Sequence, residues 1–181
     1  MTRLSRLKAE ERAAELLQEH GLLDRVPVPV QELAVAQGVI VRFQPFDADD
    51  VSGLLLREDQ GQAIIGVNSA NASVRQTFTI AHELGHYVLH KGRTLILDRH
   101  VRVNFRDAMS STASDEEEMQ ANAFAAALLM PQVSLRSRLD RLTQGKRRGD
   151  GEIVDRLASE YRVSRAAMEF RLINLGILTP R

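Results

Sequence analysis

A chain of 181 residues, 44% apolar and 27% charged, has the composition of one globular domain with at most a small appended element, which excludes a disordered or fibrous protein. Lysine plus arginine and aspartate plus glutamate balance at 24 each, so no net field favours nucleic acid. Cysteine is absent, which removes thiol catalysis, disulfides and cysteine-type zinc sites. The charged stretch Met1–Glu19 does not read as a signal peptide and no apolar run reaches membrane-spanning length, so a cytoplasmic chain with no membrane role is expected.

Leu4, Leu7, Ala13, Ala14, Leu16 and Leu17 recur at helical spacing, and Gly21 supplies a stop, so the chain is expected to begin with an amphipathic helix that docks on the domain. Pro27 and Pro29 mark a turn, and Val30–Gln37 reads as a short helix ended by Gly38. Val39–Phe43 reads as a strand, followed by the acidic loop of Asp47, Asp49 and Asp50, whose spacing matches no calcium loop. Gly53–Arg57 and Ala63–Val67 flank a polar turn and predict a hairpin. Asn68–Asn71 offers an N-cap for a helix running through His90 to about Lys91, with Gly92 as its stop. Leu95–Leu97 and Val101–Val103 are short strand candidates, and residues 98–113 read as a segment that could gate access to a site. Ser114 and Glu117 form a capping box for a helix to Leu129. Residues 143–151 read as an exposed loop, and two helices around Arg162-Val163-Ser164 are expected after Glu152. Arg165 and Arg171 against Glu169 make a weak basic face, so direct DNA binding is not expected there.

The chemistry sits in Ala81-His82-Glu83-Leu84-Gly85-His86, a His-Glu-x-x-His pattern. On a helix His82 and His86 lie one turn apart on one face and reach one metal ion. Glu83 points about 100° round from His82, beside the metal, where it can take a proton from water. The ordinary alternative is an amphipathic helix with two solvent-facing histidines. It fits poorly, because Phe78, Ile80, Ala81, Leu84, Val88 and Leu89 surround the pair and imply burial.

Catalytic zinc needs a third protein ligand. His90 lies a further turn along, about 12 Å from His82 along the axis, too far to converge, and reads as a supporting or surface residue. The acidic helix is the better source. Glu117 is occupied if the capping box forms, which favours Glu118, with Asn122 one turn below to orient a ligand by hydrogen bonding. Spacing does not exclude Glu117. Tyr87, His90, His100 and Arg75 all remain candidates for stabilising an oxyanion.

The stretch Arg75–His86, the block Glu118–Ala125 with Leu128-Leu129-Met130-Pro131, and the ending Val163-Ser164 to Gly176 resemble the ImmA/IrrE metallopeptidases, over about Pro29 to Leu178. Gln120 departs from the glutamate often found there. The resemblance implies a gluzincin-like α+β fold: a small, mainly antiparallel sheet packed against helices, with residues 1–142 as the metallopeptidase domain and residues 152–181 as a helix-turn-helix-like segment packed on it. It implies zinc, with manganese as an alternative in the cell, held by His82, His86 and Glu118, and Glu83 as general base. It also implies a helix-turn-helix repressor as substrate, whose cleavage relieves repression of a mobile element or a stress response. A metal-stabilised binding module that sequesters a repressor without cutting it is the alternative; an intact Glu83 speaks against it. The strand Ala63–Val67 is expected to offer its edge to an extended substrate.

Overall fold

The computed structural model describes residues 3–46, 51–58, 62–91, 95–99, 113–143 and 149–179. The acidic loop, the hairpin turn, His100, the strand candidate at 101–103, nearly all of the gating segment and the basic part of the loop at 143–151 therefore lie outside the described residues.

The fold is α+β. Helix α1 (Arg3–Glu19) and the short α2 (Val30–Ala36) precede strands β1 (Val39–Gln44), β2 (Val51–Arg57) and β3 (Ala63–Asn68). Helix α3 (Ser73–Leu89) carries the motif and is followed by β4 (Leu95–Arg99) and α4 (Ala113–Leu129). Helices α5 (Gln132–Thr143), α6 (Asp150–Tyr161) and α7 (Arg165–Asn174) complete the chain.

The four strands form one mixed sheet in the order β1-β3-β2-β4. The predicted hairpin is present: β2 pairs antiparallel with β3, Leu55 opposite Ile65, and Glu58 N–H donates to the Gln62 carbonyl across the mouth of the turn. β1 lies parallel to β3, Val39 opposite Ala63, while β4 runs antiparallel to β2. This corrects one expectation. β3, the strand expected to offer a free edge, is enclosed by β1 and β2, and among the described residues the outer strand on the β2 side is β4. The reason is that β1 and β2 bracket β3 from opposite sides, and a parallel pairing made through a crossover leaves no local signal.

Three further boundaries differ. The N-cap of α3 is Ala72, without a side-chain cap, because Asn68 is used elsewhere: its side chain accepts from Ala70 N–H and donates to the Val51 carbonyl. Helix α4 already includes Ala113, one residue before the expected cap Ser114, whose side chain lies outside those described. Asp150 and Gly151, expected in a loop, open α6. Helix α5 was not foreseen at all; only Ser134 and Leu135 on it are fully buried.

The core runs through Leu16, Leu17, Leu33, Leu55, Ile65, Leu84, Phe124, Leu128, Leu135 and Leu157. α3 packs under β2 and β3 on one side and against α4 on the other, so residues 79 to 86 are all buried. α1 lies along α4 as expected of a docked helix, burying Ala9, Ala13, Leu16 and Leu17, whereas Leu4 and Leu7 of its predicted stripe stay exposed. Among the described residues no helix is long and apolar enough to cross a membrane.

Candidate metal centre

α3 and α4 approach closely because small residues face each other. A Cβ on Gly85 would stand 3.1 Å from the Phe124 ring and 3.2 Å from the Ala121 backbone. With Gly85 between the two histidines and Ala121 below Glu118, the Glu118 carboxylate comes within reach of both imidazoles. Its two oxygens lie 3.2 Å from His82 Nε2 and 3.3 Å from His86 Nε2, and the two Nε2 atoms are 3.1 Å apart. Among the described residues this is the one His/Asp/Glu group arranged to hold a metal ion. Both histidines are buried, and Glu118 is partly exposed.

The donor chemistry fits a cation. Asn122 Oδ1 accepts from His82 Nδ1–H at 3.1 Å, which leaves the His82 Nε2 lone pair facing the cluster. Burial lowers the His86 imidazole below its ordinary pKa despite the neighbouring carboxylate, so it too favours the neutral, ligating form. Burial pushes the Glu118 carboxyl up, but where the imidazoles carry a proton on Nε2 their hydrogen bonds and charge outweigh it and hold the group well below the usual carboxylate range; a metal ion would take the place of those protons. Two imidazole lone pairs and an ionised carboxylate thus converge from three sides, an arrangement that a divalent ion stabilises.

Glu83 is fully buried beside this cluster, against the sheet. A Cβ on Gly53 of β2 would lie 3.5 Å from Glu83 Oε1 and 2.2 Å from Thr79 Cγ2, so β2 passes the helix at a distance only glycine permits. Asn122 meets His82, one of the histidines, and is not hydrogen-bonded to Glu118. Glu117 stands outside the cluster.

Of the oxyanion candidates, Tyr87 donates to the Gln37 carbonyl, and Arg75 is anchored by Nε and Nη2 on Ser52 Oγ at the start of β2. His90 is the C-cap of α3 in extended conformation and hydrogen-bonds His86. Of the three, only His90 is hydrogen-bonded to a member of the cluster, through His86 Nδ1. Ser52, Gly53, Gly85 and Arg57, which donates to the carbonyls of His86 and His90 at the end of α3, were not singled out from sequence. The small residue between two candidate ligands was the available signal for Gly85.

This fold and site belong to a metallopeptidase class. The pattern of the IrrE N-terminal-like domain matches residues 34–173, and the chain belongs to the ImmA/IrrE family of metallopeptidases. A similar protein is the radiation response metalloprotease IrrE of Deinococcus radiodurans, 33% identical over 110 residues. Those residues are 60% of this chain and only 30% of that relative's length.

Proposed function

We propose that this chain is a zinc-dependent endopeptidase that cuts a helix-turn-helix repressor in an exposed, extended segment, relieving repression of mobile-element or stress-response genes. The observation that carries the reading is the convergence of His82 Nε2, His86 Nε2 and the Glu118 carboxylate, with Glu83 buried alongside.

His82, His86 and Glu118 would hold the ion, which when bound supplies Lewis acidity, polarising a peptide carbonyl and acidifying water. Asn122 keeps the His82 proton on Nδ1. Glu83 accepts the proton of the attacking water on a carboxylate oxygen and passes it to the leaving amine nitrogen. An extended substrate pairs by main-chain hydrogen bonds along the edge of β4, the outer strand on that side among the described residues, which lies beside the strand that covers Glu83. Against a DNA-binding role, Arg171 is buried on Glu10 and Arg165 is engaged by Asp155 and Glu169. Docking of the repressor falls to the surface of α6 and α7 around Val163.

The test is incubation of the purified chain with repressors encoded beside it, with chelator, with restored zinc, and as Glu83→Gln. Cleavage at one bond that chelator and Glu83→Gln both abolish supports the reading. Tight binding without cleavage would favour the sequestering module, and many cuts across unrelated proteins would remove the dedicated substrate.

A further inference from the structure

We infer that Gln120 and the amino-terminal helix position His86 for metal through a hydrogen-bonded relay, His86–His90–Gln120–Ser5, an assignment that rests on the metal reading above. His86 Nδ1 is 3.1 Å from His90 Nδ1, His90 Nε2 is 3.0 Å from Gln120 Oε1, and Gln120 Nε2 donates to Ser5 Oγ at 2.6 Å.

The polarity of this relay follows from the ligand at its head. A neutral histidine that offers Nε2 to a metal carries its proton on Nδ1. His86 Nδ1–H must then donate to His90 Nδ1, which obliges His90 to carry its own proton on Nε2. That proton faces Gln120 Oε1, an acceptor, and the amide N–H is left to donate to the Ser5 hydroxyl. Every link is satisfied in one direction. Reversal would put a proton on His86 Nε2 and remove the ligand lone pair.

The backbone makes the relay available. α3 ends at Leu89, and His90 adopts φ −119° and ψ 115°, with its ring centre 5.1 Å from that of His86. Arg57 fixes this turn by donating to the carbonyls of both histidines. The two ligand histidines are therefore supported differently. His82 is held in one step by Asn122 of α4, whereas His86 depends on the end of α3, on α4 and finally on α1. α1 lies outside the matched span 34–173, so the last link comes from outside the residues matched to the family domain. α1 is itself pinned by Glu10 to Arg171 of α7 and by Arg6 to Asn174.

Partners of this kind are typically worth about 10–100-fold in metal affinity. The experiment measures zinc affinity of the full chain by competition with a chromophoric chelator, alongside thermal melts of the metal-free proteins. Gln120→Leu, which cannot accept from His90, should bind zinc about 10–100-fold more weakly with an unchanged metal-free melting temperature. Gln120→Glu keeps the acceptor and should stay near parental affinity, and Ser5→Ala should weaken binding by a smaller factor than Gln120→Leu. If Gln120→Glu falls as far as Gln120→Leu, the residue acts through packing and the relay is overturned. If Gln120→Leu and Ser5→Ala bind like the parent while Glu118→Ala does not, the relay is wrong and the metal reading stands. If Glu118→Ala also binds like the parent, or the parent binds no zinc, both fall.

Discussion

In the α3–α4 pair, His82, Glu83 and His86 are buried with Thr79, and three of the polar groups there, His82, His86 and Glu118, aim at one point. In the carboxy-terminal helices the buried polar groups are Ser134, Tyr161 and Arg171, and each closes a contact between elements. Ser134 and Tyr161 share a hydrogen bond of 2.8 Å between α5 and α6, and Arg171 donates to the Met130 carbonyl and to Glu10. Both regions bury polarity; in the second the contacts tie one element to another, whereas in the first the two Nε2 atoms and the Glu118 carboxylate also turn toward one shared point. Converging acceptors are a liability until a cation sits among them, so the first region should respond to metal and the second should not.

The largest effect tests that difference directly. Zinc at about 1,000 times its dissociation constant should stabilise the chain by about 4 kcal/mol, read as a rise in melting temperature. Glu118→Ala should lose this gain together with bound metal. Glu117→Ala and carboxy-terminal variants should keep it. If Glu117→Ala empties the site and Glu118→Ala does not, the register of α4 is misread.

Next in size is Glu83→Gln, which should lower peptide cleavage by roughly 10²–10⁴-fold, the usual contribution of a general base, with metal content near that of the parent. Metal analysis of the purified variant decides. An empty site would make Glu83 a ligand or a structural support.

In the carboxy-terminal half, Arg171→Leu should cost about 2 kcal/mol of stability, since it removes the charge-assisted hydrogen bonds to the Met130 carbonyl and to Glu10, which keeps Arg6 as a partner. Urea unfolding measures this. Zinc affinity should change little, because the variant leaves the ligand cluster intact; a large loss would erase the division between the two regions.

What the sequence made legible divides along the same line. The His-Glu-x-x-His spacing lies within one helix, so periodicity alone placed His82, Glu83 and His86 on neighbouring faces. The stripe on α4 leaves Glu117 and Glu118 both open and the family resemblance points to Glu118, whose contact with α3 rests on Gly85 packing against Ala121, which no periodicity reveals. The hairpin of β2 and β3 is local and was readable; the parallel partner β1 is not. Helix α5 was missed although Leu135, Leu139 and Leu142 recur at helical spacing after Pro131, because Val133 is exposed and the apolar stripe is narrow. Arg171 looked like part of a basic face, and its burial on Glu10 depends on α1, more than 160 residues earlier. Contacts between distant elements are where residue spacing carries least information.

The smallest effect probes the place where sheet and site meet. Gly53→Ala would set a methyl 2.2 Å from Thr79 Cγ2 and 3.1 Å from the Gly66 carbonyl. Thr79 is buried on α3 and β-branched, so its methyl has little freedom to rotate away, and β2 must lift from the helix. Overpacking of this kind costs about 1–3 kcal/mol, to be read from thermal melts. The lift would also open the wall over Glu83, whereas the three ligand groups sit on α3 and α4 and do not touch Gly53. Cleavage by Gly53→Ala should therefore fall while zinc affinity holds. Removing the clashing methyl with Thr79→Ser in the same chain should recover both stability and cleavage, since residues in contact couple strongly. A double variant no better than Gly53→Ala alone would mean that the glycine is needed for its backbone and not for the close approach of β2 to the catalytic helix.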